Sequence, residues 1–422
     1  MKKFIKFIRW FYPGLKIKRW ISLLLAGVLF IFISSSHLSK DTYFLFRIVY
    51  KGIFIIGVIL LVGGVAYLIK SFFEAIYPHK EKDLIDIIYE KRFLSKGPKI
   101  VAIGGGTGLS TILEGLKEYT SNISAIVTVA DEGGSSGRLR EEFGILPPGD
   151  IRNCLVSLAE APQLMRDLFQ YRFQEGEGIK GHSFGNIFIT ALTEVTGSFK
   201  AAVEESSKVL AIRGRVIPAS LNRVRLRAEY LDGSVKEGED KISQVEKPIK
   251  KIYLIPPSTQ SNPEAVEAIK ETEIIILGPG SLFTSVLPNL LIKEIREEII
   301  RRDVLKIYIC NVMTQHGETD GFTAADHIEV LFKHTDNKII NCCLVNSGRL
   351  DYNLLLRYSK EKSFPVIPDK KRLEKMGIMV IEDSLVSRTD YLRHDPHKTA
   401  KVIINIYNNW KRKWKGLNKK LL

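Results

Sequence analysis

Two long apolar segments near the amino terminus dominate the hydrophobic pattern of the chain. Residues 20–39 contain no charged side chain over 20 positions, and residues 52–69 contain none over 18. Each is long enough to cross the hydrocarbon core of a bilayer, about 30 Å thick, as an α-helix. We therefore predict two transmembrane helices. A cleaved signal peptide fits less well because a second apolar segment follows the first, and helices buried in a soluble core are the alternative.

Basic residues flank this pair of segments unevenly. Seven Lys and Arg precede the first segment, three lie between the two, and Lys70, Lys80 and Lys82 follow the second. Since positively charged flanks stay on the cytoplasmic side of a membrane, the pattern predicts a cell-membrane protein with two spans. Its amino terminus and its large carboxyl-terminal part are then both cytoplasmic. Residues 71–98 have the spacing of a partly amphipathic helix, which we interpret as a spacer.

Beyond residue 98, short apolar runs alternate with segments of helical period. In the first such unit a strand is followed by Leu109, Ile112, Leu113 and Leu116, which share one face of a helix. The repetition of strand, loop and helix indicates an α/β fold with a Rossmann-like, mostly parallel sheet. The predicted strands are residues 99–103, 123–130, 273–277, 307–310, 339–345 and 376–381.

One stretch departs from this pattern. Residues 216–255 are more polar, charged and β-branched residues alternate, and Asp232-Gly233 is a two-residue hairpin signal. We predict an antiparallel β excursion that is half solvated and attached to the main sheet. Its wet face is expected to carry Arg223, Arg225 and Arg227. The predicted domains are a membrane anchor over residues 1–97, a Rossmann-like domain over residues 98–400 and a basic amphipathic tail over residues 401–422.

The charge distribution favours a membrane surface over nucleic acid. The net charge is +15, and residues 1–98 hold 16 Lys and Arg against six Asp and Glu, so +10 lies around the predicted spans. We find no nucleic-acid-binding motif and expect no nucleic acid partner. The last thirteen residues hold six basic and no acidic side chains, interleaved with two Trp and three Leu. That composition suits anionic membrane lipids, and a frayed terminus is the alternative.

Three turns rich in small residues follow predicted strands and are candidate anion sites. A strand, a glycine turn and a helix in that order bring backbone N–H groups and the positive end of the helix dipole to a phosphate. Parallel strands end at one edge, where open α/β sheets bind ligands, so we expect the turns to share a cleft. The candidate ligand-binding residues are Gly104, Gly105, Gly106, Thr107 and Gly108, then Ser135, Ser136 and Arg138, and finally Gly278, Gly280 and Ser281.

The first turn departs from two common phosphate motifs. The dinucleotide fingerprint requires a glycine at its sixth position, where this chain has Leu109. The Lys and Ser or Thr that end an ATPase-type phosphate loop are missing as well. The turn therefore argues against a dinucleotide oxidoreductase and against an ATPase-type loop. A turn that merely joins a strand to a helix is the alternative.

Two polar side chains are the catalytic candidates. Asp131 ends the second predicted strand and could accept a hydrogen bond from a ribose hydroxyl or hold a metal ion, for which we expect Mg²⁺. His182 precedes an apolar helix and is the candidate acid or base, with Gly185 and Asn186 beside it as ligand-binding candidates. The alternatives are that Asp131 caps a surface loop and that His182 is a structural hydrogen-bonding group.

Other polar positions are assigned structural roles. Asp150 follows a Pro-Pro-Gly break and suits the N-cap of a helix over residues 151–159. The cysteines form no C-x-x-C pair, so neither a disulfide nor a zinc site is favoured, and a reducing cytoplasm fits. The four are Cys154, Cys310, Cys342 and Cys343.

Five motifs in one order resemble the bacterial gluconeogenesis factor family of the 2-phospho-L-lactate transferase superfamily. The resemblance covers about residues 98–400, and the anchored region is an addition to the usual soluble form. It implies a Rossmann-like fold with a nucleotide or phosphorylated ligand in the cleft. The motifs are IGGGTGLS (103–110), TVADEGGSSGRLR (128–140), LPPGDIRN (146–153), GHSFGN (181–186) and LGPGS (277–281).

The two branches of this superfamily imply different functions. The gluconeogenesis-factor branch is linked to cell shape and envelope growth on gluconeogenic carbon and binds nucleotide sugars such as UDP-N-acetylglucosamine. The transferase branch moves a phospholactyl group from a guanosine diphosphate donor to a deazaflavin alcohol with a divalent metal. The loop at residues 128–140 is similar to the first branch, because the transferase branch has a more acidic segment there.

Two hypotheses follow from residues and resemblance together. In the first, a membrane-anchored cytoplasmic regulatory protein binds a UDP-sugar. Envelope-synthesis proteins and a second copy of the chain are further candidate partners, between which the sequence does not decide. In the second, a phosphotransferase uses Asp131 to hold Mg²⁺ against a diphosphate and His182 as acid or base. We favour the first hypothesis because the sequence shows glycine turns but no evident catalytic dyad.

Overall fold

The computed structural model describes residues 17–38, 43–76, 92–242, 244–387 and 391–421. The chain divides into two units, Met1–Leu84 and Ile85–Leu422. The first unit contains helices α1 (Ile17–Leu38) and α2 (Phe44–Ile76).

Both helices contain a stretch long and apolar enough to cross a membrane, over Arg19–His37 and Phe46–Ser71. The two apolar helices predicted from the pattern therefore form. Helix α2 extends beyond the predicted span at both ends and takes in the first residues of the predicted spacer helix. The rest of that prediction falls largely on residues 77–91, which lie outside the described residues.

Glycines bring α1 and α2 into backbone contact. A β carbon built on Gly27 would lie 2.7 Å from the backbone nitrogen of Leu61 and 2.8 Å from the carbonyl oxygen of Gly57. The rings of Trp20 and Tyr67 stack with their centroids 4.3 Å apart. Small residues such as glycine allow the backbones of two apolar helices to approach this closely. The pair therefore forms a tightly packed helical hairpin.

A parallel sheet of seven strands lies at the centre of the second unit, in the order β10-β9-β8-β7-β1-β2-β3. Every residue of β1, β2, β7 and β8 is buried, as expected for parallel strands covered by helices on both faces. All six predicted strands are confirmed. The strands are β1 (Ile100–Gly104), β2 (Ile123–Val127), β3 (Arg215–Pro218), β7 (Ile274–Leu277), β8 (Leu305–Ile309), β9 (Cys342–Asn346) and β10 (Met379–Asp383).

A second sheet is small and antiparallel, with the order β5-β4-β6. Its strands are β4 (Arg225–Tyr230), β5 (Val235–Glu237) and β6 (Ile249–Ile255). The predicted antiparallel excursion is thus present, but it is a separate sheet and does not begin at residue 216. Residues 216–218 instead belong to β3, which pairs in parallel with β2. Their side chains are buried, unlike the alternating pattern of β4, so they complete the main sheet.

Helices cover the main sheet on both faces. Helix α16 continues without a break across the predicted boundary at residue 400. The helices are α3 (Gly106–Leu116), α4 (Gly134–Phe143), α5 (Gly149–Leu158), α6 (Gln163–Gln170), α7 (Phe184–Thr196), α8 (Phe199–Val209), α9 (Glu239–Ile242), α10 (Pro263–Glu271), α11 (Leu287–Leu291), α12 (Lys293–Arg301), α13 (Ala324–His334), α14 (Tyr352–Lys360), α15 (Lys370–Lys375) and α16 (Pro396–Leu421), with a 3-10 turn at Leu94–Lys96 and a π-helical turn at Leu282–Val286.

The strand order reverses between β1 and β7. From β1 the sheet continues through β2 and β3 on one side, and from β7 through β8, β9 and β10 on the other. Ile103 of β1 is level with Leu277 of β7, so the two strands end together. Open α/β sheets bind ligands outside the carboxyl ends of the strands at such a reversal. The fold therefore positions a crevice between the turn after β1 and the turn after β7.

Candidate functional site

The glycine turns after β1 and β7 pack directly against each other. A β carbon built on Gly108 would lie 2.8 Å from the carbonyl carbon of Pro279 and closer still to its oxygen. A β carbon on Gly280 would lie 3.4 Å from the carbonyl oxygen of Gly105. Gly108 and Gly280 therefore allow two backbone segments to meet at the strand reversal, as the shared-cleft prediction requires.

The glycines of the first turn have different roles. Gly104 is the last residue of β1, and its carbonyl accepts a hydrogen bond from the Thr128 N–H at 2.9 Å. Gly105 has no room for a side chain, since a β carbon there would lie 2.5 Å from Asp150 Oδ2. Gly106 has a φ of +65°, and a β carbon there would meet Ser285 Oγ at 3.9 Å and Asp150 Oδ1 at 4.0 Å, which are ordinary contact distances. Gly106 and the exposed Thr107 are thus the residues of this turn that can face a ligand.

The crevice between the two turns has a volume of about 200 Å³. Asn311, just after β8, fixes the edge of the crevice through two hydrogen bonds to Gly280. Asn311 Oδ1 accepts from the Gly280 N–H at 3.1 Å, and Asn311 Nδ2 donates to the Gly280 carbonyl at 2.9 Å. The Ser281 hydroxyl donates to the Glu318 carboxylate. The residues around the crevice include Thr107, Gly108, Thr111, Gly280, Ser281, Asn311, Gln315, Arg393 and His394.

His394 contributes a buried polar atom to this wall. The side chain is 6% exposed, and Nε2 has no hydrogen-bond partner among the described residues. Burial lowers the pKa of His394 to about 4, so the imidazole is neutral near pH 7. A buried polar atom without a partner costs free energy, and this one lies behind the wall of the crevice.

Four carboxyl groups gather beside the first turn: Asp131, Asp150, Glu239 and Glu318. Burial raises the pKa of Asp150 to about 7, the charge of Asp131 adds to the rise, and the hydrogen bond from the Gly106 N–H opposes it. Burial also raises the pKa of Glu239 to about 7, helped by the charges of the other three carboxyl groups. Near neutral pH Asp150 and Glu239 are therefore poised to release a proton when a cation enters the site.

Asp150 is not the N-cap that the sequence suggested. Helix α5 begins at Gly149, two residues before the predicted start at residue 151. Its N-cap is Pro148, which makes no side-chain capping bond. The Asp150 carboxyl group instead accepts the Gly106 N–H beneath the first glycine turn. The N-cap prediction was wrong because the carboxylate bonds to a distant turn rather than to its own helix.

Asp131 and Asp150 form a pair that suits a magnesium ion shared with a phosphate. A β carbon on Gly149 would lie 3.1 Å from Asp131 Oδ2, and Gly149 immediately precedes Asp150. In the part of the chain that the structure describes, no three His, Cys, Asp or Glu side chains are arranged to hold a metal. Mg²⁺ commonly takes one or two carboxylates and completes its shell with phosphates and water. The pair therefore fits a metal–nucleotide complex better than a metal held by protein alone.

Glu132, the other acidic residue of this loop, is held in ion pairs and is not a candidate metal ligand. Its carboxylate pairs with Arg225 at 3.1 Å and with Arg140 at 3.5 Å. Arg140 is 6% exposed and donates to the Val224 carbonyl at 2.6 Å. These contacts join the loop after β2 to the small sheet. Arg225 is thus part of this junction rather than a purely solvated side chain.

A second polar cluster joins α4 to the start of α7. Ser135 Oγ lies 3.0 Å from His182 Nδ1, and Asn186 Nδ2 donates to the same oxygen at 3.0 Å. Arg152 Nη1 donates to Asn186 Oδ1 at 3.1 Å and also to the Ser183 hydroxyl. Burial is the main cause that lowers the pKa of His182, and the positive charge of Arg138 lowers it further. The structure therefore brings Ser135, from the motif at residues 128–140, together with His182 and Asn186, from the motif at residues 181–186.

The remaining predicted residues serve mainly to hold the loops. Arg138 donates to the Lys180 carbonyl at 3.0 Å, at the turn that precedes His182. A β carbon on Gly185 would lie 2.6 Å from the Phe169 carbonyl oxygen, so this glycine allows close packing of α7. Gly278 has a φ of +76°, which the turn after β7 requires. Ser136 is buried beside Gly149.

Sequence reasoning missed several residues of the site. Asn311 could have been singled out by its position directly after a predicted strand. Asp150 and Arg152 lie in the motif at residues 146–153, but the sequence analysis assigned neither of them to the site. Glu239, Glu318 and His394 carried no local signal, because they approach the site from loops and helices far away in the chain. The missed residues are Asp150, Arg152, Glu239, Asn311, Glu318 and His394.

The cysteines take no part in the site. All four are buried and free, and burial raises the pKa of the Cys310 thiol to about 12. Cys342 and Cys343 lie in the buried strand β9, as predicted, and Cys154 lies in α5.

The chain matches a protein family over most of the second unit. The family model for 2-phospho-L-lactate transferase CofD matches residues 100–386. The gluconeogenesis factor of Bacillus subtilis is 48% identical over 74% of this chain and 99% of its own. A longer relative from Clostridium acetobutylicum is 45% identical over 95% of this chain and 92% of its own. A match of that length includes the N-terminal region, which the shorter relative lacks.

A solved structure shows the same fold. The crystal structure of a UPF0052 family member from Bacillus halodurans is 46% identical to this chain, with a TM-score of 0.71. The match covers 73% of this chain and 99% of the Bacillus halodurans chain. The α/β fold with its mostly parallel sheet is thereby confirmed. The chain belongs to the gluconeogenesis factor family, within the wider family of 2-phospho-L-lactate transferase CofD.

Proposed function

We propose that this protein binds a nucleotide diphosphate sugar, with UDP-N-acetylglucosamine as the first candidate, in the crevice between the turns after β1 and β7. The contact of Gly108 with Pro279 at the strand reversal is the observation that carries the proposal. It places two backbone turns within reach of one diphosphate. Gly106, with no crowded contact at its β-carbon position, would let a phosphate approach the backbone at the N-terminus of α3.

The charges around the crevice support a metal-assisted form of this binding. A diphosphate would be repelled by Asp131, Asp150 and Glu239 unless a cation lay between them. Asp131 and Asp150 would hold Mg²⁺, and the metal would supply the positive charge that links these carboxylates to the phosphates. Thr107, Asn311 and Gln315 line the crevice and offer polar contacts to the rest of the ligand.

The anchor supports a regulatory role near the membrane. Two apolar helices and the unequal flanking charges favour a cytoplasmic position for the second unit. The basic end of α16 suits contact with anionic lipids. In this proposal the protein reports the supply of envelope precursors to proteins of envelope synthesis, and so links cell shape to growth on gluconeogenic carbon.

Titration calorimetry of the full-length protein in detergent tests the binding proposal. We expect saturable heat with UDP-N-acetylglucosamine in the presence of Mg²⁺, and at least tenfold weaker binding without the metal or in Asp131→Asn. Asp303→Asn is the matched control, because this exposed aspartate precedes β8 at the opposite edge of the sheet. No saturable heat from the wild-type protein at millimolar ligand would contradict the proposal.

The paired carboxylates also support a second candidate, a phosphotransferase that acts on a nucleotide diphosphate donor. Asp131 and Asp150 would hold Mg²⁺, which neutralises charge on the transferred phosphoryl group, and the neutral His182 would accept a proton. We expect the donor to be consumed by the wild-type protein and not by Asp131→Asn, as followed by mass spectrometry. Donors that bind and stay intact would exclude this candidate and leave the binding proposal standing.

A further inference from the structure

Ser135 lies in the first turn of α4, within the spacing G-x-S-x-G formed by Gly133, Gly134, Ser135, Ser136 and Gly137. Residues 128–133 separate the end of β2 from this helix, so the serine is presented by the start of the helix and not by a direct strand-to-helix turn. Gly134 has a φ of +48°, and a β carbon on Gly137 would lie 2.7 Å from the carbonyl carbon of Glu132. Both glycines therefore allow the tight entry into α4 that positions Ser135.

The hydrogen bonds around Ser135 determine where its proton points. Asn186 Nδ2 can only donate, so Ser135 Oγ accepts this bond. The orientation of the amide follows from Arg152, which donates to Asn186 Oδ1 at 3.1 Å. The serine hydrogen is then left for His182 Nδ1, at 3.0 Å, which must be the unprotonated nitrogen of a neutral imidazole. Arg152 and Asn186 thus orient a serine that donates to a histidine.

The surroundings suit a reactive serine. Ser135, His182 and Asn186 are 5%, 4% and 2% exposed. Burying three polar side chains and a guanidinium around one hydroxyl costs free energy that an alanine at position 135 would avoid. The amino end of the ten-residue helix α4 also stabilises negative charge on the serine oxygen.

We propose that Ser135 is a nucleophile and His182 its general base, directed at the phosphoric anhydride of the bound nucleotide. A bond forms between Ser135 Oγ and phosphorus, and the bridging P–O bond breaks. The serine proton passes to His182 Nδ1, and the other phosphoryl group leaves as a phosphate monoester. His182 passes this proton to the departing monoester. Water then attacks the phosphorus of the serine ester, its proton moves through His182 to Ser135 Oγ as the P–Oγ bond breaks, and the second phosphate monoester is released with the serine restored. Asn186 and Arg152 are positioning residues.

This inference rests on the proposed function for its substrate class, but the serine itself can be tested without a nucleotide. Full-length protein in detergent is treated with a fluorophosphonate probe, which forms an Oγ–P bond as fluoride leaves and His182 takes the proton. Peptide mass spectrometry is expected to find Ser135 modified, with labelling at least 100-fold slower in His182→Gln. Ser206 is the matched control, since it is equally buried but bonded only to the Ala202 carbonyl, and it should stay unmodified.

Thermal unfolding separates chemistry from folding. If His182→Gln unfolds early, Ser135→Cys provides the second variant, because a thiol beside His182 should react with iodoacetamide faster than the buried native cysteines. Asn186→Ala should slow probe labelling more than it weakens nucleotide binding, a split that a structural role alone would not produce. A folded wild-type protein whose Ser135 stays unlabelled, or equal labelling in His182→Gln, would overturn the inference.

A final measurement distinguishes this inference from the proposed function. The protein is incubated with UDP-N-acetylglucosamine and Mg²⁺ and quenched in acid, and we expect a phosphoester on Ser135 and slow release of a phosphate monoester. Saturable nucleotide binding with neither product would overturn the inference and leave the proposed function intact. Probe labelling of Ser135 without any nucleotide binding would overturn the proposed function and the substrate class, while the nucleophile itself would stand.

Discussion

The α carbon of Gly108 faces the carbonyl group of Pro279 so closely that no side chain fits between them. The two residues belong to the turns after β1 and β7, the strands between which the sheet order reverses. This one contact joins the halves of the proposed nucleotide-binding edge. It follows that substitutions at Gly108 and at its neighbour Gly106 should have different consequences.

Gly108→Ala should destabilise the protein by about 3 kcal/mol, because an added methyl group would force the two turns apart. Gly106→Ala should cost only about 1 kcal/mol, from the φ of +65°, since the nearest atom to its β carbon is 3.9 Å away. Gly106→Val should nevertheless abolish nucleotide binding by filling the space for the phosphate. Thermal unfolding and calorimetry measure the two effects, and equal destabilisation by the two alanines would contradict the packing described.

The free protein should lose stability as the pH rises from about 5 to 8. Folding raises the pKa of Asp150 from 3.8 to about 7, so between these values the folded chain binds more protons than the unfolded chain. Stability from this group is therefore complete at low pH and is lost as the pH rises through 7. Asp150→Asn should show a smaller loss, by several degrees in melting temperature between pH 5.5 and pH 8. An unchanged pH dependence would mean that the carboxyl group is not protonated in the folded state.

Binding of a magnesium–nucleotide complex should strengthen as the pH rises. The metal requires ionised carboxylates, and a group with a pKa near 7 is about one-tenth ionised at pH 6 and nine-tenths ionised at pH 8. One such group predicts about tenfold tighter binding at pH 8 than at pH 6. Calorimetry at the two pH values measures this, and Asp150→Asn should bind weakly at both. Affinity that falls with pH would argue against a metal at this pair.

Arg140→Ala should destabilise the second unit by about 3 kcal/mol. The buried guanidinium contacts Glu132 and donates to the Val224 carbonyl, and its loss removes this donor and leaves Glu132 paired with the half-exposed Arg225. Arg227→Ala is the matched control, because its pair with Glu237 is half exposed, and it should cost less than about 1 kcal/mol. Denaturant unfolding measures both variants. Similar costs would mean that Arg140 does not join the loop to the small sheet.

Gly27→Ile should separate the helical hairpin of the first unit. A β carbon there would lie 2.7 Å from the Leu61 nitrogen, whereas none of the neighbouring atoms comes within 4 Å of one on Gly63. Cysteines at Trp20 and Tyr67, whose rings stack, report on the contact through disulfide formation in the full-length protein. The cross-link should form in the protein that carries only Trp20→Cys and Tyr67→Cys, and also when Gly63→Ile is added. It should be lost when Gly27→Ile is added instead. Its persistence would show that the glycine contact is dispensable.

Local pattern was a good guide to the elements and a poor guide to the site. The runs of β-branched residues predicted six strands because burial on both faces leaves a continuous apolar signal. Strand β3 escaped because it is only four residues long and lies next to a polar stretch. Asp150 was misread because an aspartate after Pro-Pro-Gly looks like a cap, and nothing in the neighbouring residues reveals the distant turn that its carboxyl group meets.

Residues near each other in the chain already specify the apolar hairpin, the order of strands and helices, and the glycine turns. These depend on periodicity and on backbone freedom, which short stretches of sequence encode. The meeting of Ser135 with His182, 47 residues apart, depends on how α4 and α7 pack. So does the arrival of Glu239 and Glu318 beside Asp131. Such contacts are set by the geometry of the assembled sheet, and no local pattern carries that information.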